Sequence, residues 1–122
     1  MKLKDLLTNK RGQWAEQLAE KHLCEKGMIL VQRNYSCPRG EIDLIMMDTD
    51  TIAFIEVRYR KNQQYGGGIE SIDTRKQNKL RLTAMHYLQQ TDRYQEQACR
   101  FDAVIISGSP SSPSVNWIKN AF

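Results

Sequence analysis

An α/β domain on a mixed β-sheet flanked by helices is the fold this chain predicts, with elements in the order α-β-β-β-α-β-β. Three observations carry that prediction. Two long stretches repeat their apolar residues at the helical period, four shorter ones are dense in Ile, Val, Leu and Phe, and the two kinds alternate along the chain. With 122 residues there is room for one core. Residues 1–122 are therefore read as a single domain, with 1–9 as an N-terminal extension.

The first helix spans 10–27, where Ala15, Leu18, Ala19, His22 and Leu23 follow helical spacing and Gly27 supplies the stop. Met28–Arg33 is a short strand, and Asn34–Gly40 collects turn residues. Glu41–Met47 and Thr51–Tyr59 are strands separated by Asp48-Thr49-Asp50, and Tyr65–Gly68 is a flexible break. From Ile69 to about Gln90, Ile72, Leu80, Ala84, Tyr87 and Leu88 describe an amphipathic helix with a basic outer face. Arg100–Ser107 is a buried strand, Gly108–Ser114 a Ser/Pro-rich loop, and Val115–Ile118 an edge strand.

Composition excludes several classes. Apolar residues at 40% and charged residues at 26% do not describe a disordered, collagen-like or disulfide-scaffold chain. No apolar run has the length of a membrane span, and Met1–Leu7 makes a poor signal peptide. Cys24, Cys37 and Cys99 are odd in number and form no CxxC, which predicts a reduced, cytoplasmic protein. The net charge is +4, yet seven basic and two acidic residues lie between Arg58 and Arg81. The whole excess sits in that segment, either as an anion-facing surface or as solvated helix and strand faces.

The most informative residues are Gly40-Glu41-Ile42-Asp43-Leu44-Ile45 and Phe54-Ile55-Glu56-Val57-Arg58. A hairpin centred on Thr49 and Asp50 sets Asp43 opposite Glu56, Glu41 opposite Arg58 and Ile45 opposite Phe54. Residues two apart on a strand share a face, so the four polar residues cluster. Opposed side chains stand ~4.5–5.5 Å apart at Cβ, and like charges there are destabilising. A divalent cation gives such a pair a purpose, because Mg²⁺ takes one or two carboxylates plus water and phosphate oxygens. Ion pairs of Arg58 with Glu41 and Asp43 on a solvated face are the alternative. Ile45, Ile52 and Phe54 on the same face place the cluster beside a core and favour the first reading. Glu16, on the stripe of Ala19 and Leu23, can look toward the sheet.

Asp43, a gap of 12 residues, then Glu56-Val57-Arg58 resembles the PD-(D/E)XK nuclease signature. The chain from Gly12 to Phe122 is similar to the YraN family of bacterial proteins, related in fold to Holliday-junction resolvases. The likeness lies in Gly12-Gln13-Trp14-Ala15-Glu16, Arg33-Asn34-Tyr35, Gly40 to Ile45, Phe54 to Arg60, Tyr65-Gly66, Lys76, Arg100-Phe101-Asp102 and Ala121-Phe122. It implies a restriction-endonuclease-like core, with Asp43 and Glu56 as ligands of Mg²⁺ or Mn²⁺ and Glu16 as an accessory acid. Lys76 falls where such folds place a phosphate-contacting or auxiliary basic residue. The departure is Arg58 where the motif has lysine; arginine stays protonated, so it can clamp a phosphate but cannot deprotonate water.

The expected function is therefore metal-dependent, endonuclease-like action on structured or branched DNA, with Glu16, Asp43, Glu56 and Arg58 as the catalytic group. Arg60, Lys61, Arg75, Lys76 and Lys79 would contact nucleic acid, with Tyr59 or Tyr65 available for stacking. The alternatives are a binding module without turnover and a protein-interaction domain. Related resolvases act as dimers, so a homodimer is open, and a membrane partner is not expected. Arg100 and Asp102 read as a structural ion pair, His22 and His86 as helix-packing residues, and Trp14 and Trp117 as core or rim aromatics. Cys24 reads as a small core-side residue, and Cys37 as part of a turn.

Overall fold

Ala15, Ala19 and Leu23 recur every fourth residue and are fully buried, because their small and apolar side chains let the first helix lie close on a sheet. In the computed structural model, which describes residues 3–60, 66–92 and 96–122 (side chains of 3–9 and 66–68 aside), this helix is α1, Leu3–Glu25. Its end is closed as the sequence predicts: Gly27 N–H donates to the Cys24 carbonyl at 3.0 Å, and Met28 N–H to that of Leu23 at 3.1 Å. Cys24 is exposed rather than core-side, since the buried stripe runs through Leu23.

Five strands follow: β1 (Ile29–Cys37), β2 (Gly40–Asp48), β3 (Thr51–Arg60), β4 (Ala98–Ser109) and β5 (Ser112–Ile118). They lie in chain order in one sheet, antiparallel except for the central β3–β4 pair, which is parallel. Between β3 and β4 the chain forms a short 3-10 helix, Gly66–Ser71, and helix α2, Thr74–Gln90. The α/β class, the mixed sheet and the element order are those expected. Among the described residues no helix is long and apolar enough to cross a membrane.

Helix α1 begins at Leu3 rather than at residue 10, taking in most of the expected N-terminal extension, and three further boundaries differ from expectation. Strand β1 extends through the residues read as a turn, leaving Pro38 and Arg39 as the tight connection to β2. Helix α2 starts at Thr74 rather than Ile69, because Asp73 is extended and its carboxylate accepts from Lys76 N–H at 2.9 Å, capping the helix. The Ser/Pro-rich segment pairs as the ends of β4 and β5 around a turn at Pro110 and Ser111. Pro113 is tolerated there because β5 is an edge strand. Lys61 and Tyr65 lie outside the described residues.

Each face of the sheet buries its own core. Ile42, Ile45, Ile52, Phe54, Ala103 and Ile105 pack with Leu80, Ala84 and Tyr87 of α2. Leu44, Met46, Ala53, Ile55, Val104 and Ile106 pack with α1. Trp14 and Trp117 join the α1 side as partly buried rim aromatics. On the α2 side Tyr35 and His86 are joined by a hydrogen bond, so His86 serves packing between α2 and β1.

Asp102 is 0% exposed and fully engaged. Its carboxylate accepts from Arg100 Nε at 3.0 and 3.1 Å, from Trp117 Nε1 at 3.0 Å and from Asn120 N–H at 3.0 Å. Arg100 also reaches Asp48 at 2.9 Å, tying β4 to the end of β2. Removing one partner of a buried pair strands the other charge. Asp102→Ala should therefore lower unfolding free energy in urea by about 3–5 kcal/mol. A loss under about 1 kcal/mol would show that the network is not structural.

Candidate active site

The expected hairpin register holds, with Ile45 paired to Phe54 and Leu44 to Ile55, but the β2–β3 ladder ends at that last pair. Both β1 and β2 turn over at the same level. On β1, Arg33 reaches Glu20 of α1, whereas Tyr35 packs against Tyr87 of α2. On β2, Leu44 lies in the α1 core, whereas Ile42 lies in the α2 core. Positions two apart on a regular strand share a face, so each strand switches faces in between. The residues at the switch are Asn34 and Asp43, which lie between the ladder pairs Arg33–Leu44 and Tyr35–Ile42. Asn34 takes φ 51°, a left-handed conformation that asparagine tolerates better than most residues.

Asp43 is thereby turned toward the gap between β2 and β3. Its Oδ2 accepts from Val57 N–H at 2.8 Å, replacing the ladder bond the backbone no longer supplies. Glu16 of α1 stands close to both Asp43 and Asn34. Glu56, 5% exposed, meets Arg58 Nε at 3.3 Å and Lys76 Nζ of α2 at 3.7 Å through its Oε1. Arg58 Nε is buried and has no hydrogen-bond partner. Three acids and two cations from α1, β2, β3 and α2 thus converge where the sheet parts.

The expected site residues fare unequally. Glu16, Asp43, Glu56, Arg58 and Lys76 come together. Glu41 does not pair with Arg58; it is exposed, opposite Ser36 of β1. Arg60 ends β3, half-buried, on the Glu56–Arg58 side by strand alternation. Arg75 and Lys79 are exposed on α2. Tyr59 is committed to packing, edge-on to Trp14 with its hydroxyl donating to the Gly108 carbonyl at 3.0 Å. Asn34 and Arg39 were missed: both sit in the segment read as a turn, and neither residue type announces a site.

Electrostatically the cluster is strained. Burial, then the charge of Asp43, raises Glu16 to about 7 from 4.5, against the pull of Asn34. Burial and Asp43 likewise raise Glu56 to about 7, although Lys76 and Arg58 oppose the shift. Asp43 is also raised, by burial, against the Val57 amide, Lys76, Glu16 and Arg58. Two cavities flank the cluster: one of 670 Å³ on the α1 side includes Glu16, Gln13, Gln17 and Asn34, and one of 430 Å³ lies between the Pro38–Gly40 turn and α2. Among the described residues no three His, Cys, Asp or Glu side chains are arranged to enclose a metal ion. Asp43 and Glu56, with solvent completing the shell, are the set that could hold one, and Mg²⁺ accepts such a set.

A family model described as "Uncharacterised protein family UPF0102" matches residues 15–106, which include the whole acidic cluster. A UPF0102 protein of Stutzerimonas stutzeri is 48% identical over 111 residues, 91% of this chain and 92% of that protein. One from Ectopseudomonas mendocina is 46% identical over 114 residues, 93% of this chain and 95% of the other. A third, from Pseudomonas fluorescens, is 47% identical over 112 residues, 91% of each.

A carboxyl raised on folding binds more protons in the folded chain than in the unfolded one. Its stabilising contribution is full below about 4.5 and is lost as pH rises to about 7. Glu56→Gln should therefore raise the melting temperature by about 4 °C at pH 8, the shift expected for about 1 kcal/mol in a domain of this size. At pH 4.5 the gain should vanish. Thermal melts of both proteins between pH 4.5 and 8 check this, and a difference independent of pH would refute it.

Proposed function

The chain belongs to the uncharacterised protein family UPF0102, also called YraN, and from its carboxylate cluster we propose a metal-dependent, endonuclease-like protein acting on structured or branched DNA. The observation that carries this reading is the convergence of Glu16, Asp43 and Glu56 with Arg58 and Lys76 at the opening between β2 and β3. The Asp43 to Glu56-Val57-Arg58 spacing, which resembles the PD-(D/E)XK signature, and a mixed sheet between two helices are consistent with it.

Mg²⁺ or Mn²⁺ fits the donor set: hard carboxylate oxygens, crowded and desolvated enough to be pushed toward neutrality, are what a divalent cation relieves. Asp43 and Glu56 would hold it, and the ion would supply a polarised phosphate and a more acidic water. Asp43 stays fixed by the Val57 amide, which sets its orientation. Glu16, titrating near neutrality, can take or return a proton at its carboxylate. Arg58 presents a fork to a phosphate oxygen, with its buried Nε facing Glu56 at 3.3 Å but making no hydrogen bond. Lys76 places a second positive charge beside Glu56. The exposed Arg75 and Lys79, with Arg60, would extend the basic surface toward the DNA backbone.

Arg58 in the lysine position also favours a second reading, a nucleic-acid-binding module without turnover. The two separate in one assay. With Mn²⁺ the purified protein should nick branched DNA, and Asp43→Asn or Glu56→Gln should lower the rate by about 100-fold or more. Arg58→Lys should raise it. Salt-sensitive binding without cleavage would establish the binding module, and cleavage surviving both acidic substitutions would sink the site.

A further inference from the structure

The cleft beside the carboxylates suggests how the nucleic acid enters. It has a volume of 430 Å³, and its walls are the β1–β2 turn, with Pro38, Arg39 and Gly40, and the α2 face bearing Lys76 and Lys79; Glu41 lies at its edge. Arg39 and Lys79 are exposed, while Lys76 reaches inward to Glu56. Three cations from two elements thus line the recess, and one of them, Lys76, joins it to the acids through its 3.7 Å contact with Glu56. The first turn of α2 contains Arg75 and Lys76, and the N-cap carboxylate of Asp73 offsets the repulsion between these cations and the helix dipole.

The recess is narrow because the turn sits against the helix. Gly40 has φ +153°, and a Cβ there would meet Thr83 Oγ1 at 3.0 Å. Thr83 is itself fixed, its hydroxyl donating to the Lys79 carbonyl at 2.8 Å. A volume of this size takes a unit as large as one small-molecule ligand, on the scale of a nucleotide rather than of a base-paired duplex. The carboxylates lie below the surface, with Glu56 almost fully buried.

We propose that the cleft between Arg39 and Lys79 is a subsite for a single nucleic-acid strand, whose phosphates it guides to the carboxylate cluster. The proposal rests on the nucleic-acid reading above and adds that the bound portion is single-stranded, as at a branch point, flap or end. Arg39 and Lys79 contact phosphates on either side of the one that reaches Arg58.

The test needs no metal and no turnover. Binding of a fluorescein-labelled 15-nucleotide thymidine strand and of a blunt duplex is measured by anisotropy in EDTA over a salt series. The wild-type protein should prefer the single strand. Arg39→Ala/Lys79→Ala should reduce the slope of log K against log salt by about 1.4, as two lost single-strand phosphate contacts require. Lys119→Ala, at the far sheet edge, should leave it unchanged. Melting temperatures within about 2 °C of wild type verify that the double variant is folded. Equal affinity for strand and duplex, or an unchanged slope in the double variant, overturns the subsite while leaving nucleic-acid binding in place. Failure of the wild-type protein to bind either probe overturns both.

Discussion

The hydrogen bond from Val57 N–H to Asp43 Oδ2 is the contact on which the site depends. Beyond Leu44 and Ile55 the backbones of β2 and β3 no longer pair, so each amide there needs another acceptor. A carboxylate supplies it only because β1 and β2 switch faces together at Asn34 and Asp43. That switch brings one acid within reach of α1 on one side and of β3 on the other. Without it, Asp43 would follow the strand's alternation and Glu16 would have no carboxylate to meet.

The sheet holds two buried acidic centres with opposite balances. Asp102 is surrounded by donors from Arg100, Trp117 and Asn120, and it joins β4 to β5 and the C-terminal residues. Glu16, Asp43 and Glu56 are each raised by burial, and for Glu16 and Glu56 the charge of Asp43 adds to it. Arg58 and Lys76 offset part of that penalty. In the first arrangement both carboxylate oxygens are met by donors, whereas the second stays short of positive charge. An unmet electrostatic demand in a recess, rather than the mere presence of acids, is what separates a candidate site from a structural ion pair.

Much of this was legible in the amino-acid sequence. Alternating apolar residues and the turn at Thr49 and Asp50 determine the β2–β3 register, which in turn brings Asp43 near Glu56. The pairing of Arg100 with Asp102 followed from their spacing along one strand. The face switch was not legible, because Asn34 has turn propensity and only the packing of Tyr35 and Ile42 reveals that the strand continues through it. Glu41 illustrates the consequence: strict alternation assigns it to the cluster, and the switch at Asp43 leaves it outside, exposed. Arg39 escaped notice because its relevance comes from the approach of the β1–β2 turn to α2, a long-range contact with no local signature.

The double duty of Asp43 bears on how sequences of this kind are compared. An acid at this position satisfies a backbone amide as well as any ligand, so selection for the architecture alone would preserve it. Among the described residues, the partners of Glu56 are the side-chain cations Arg58 and Lys76. A relative that keeps the fold is therefore freer to change at Glu56 than at Asp43. Between the two carboxylates, the second is the less tied to architecture.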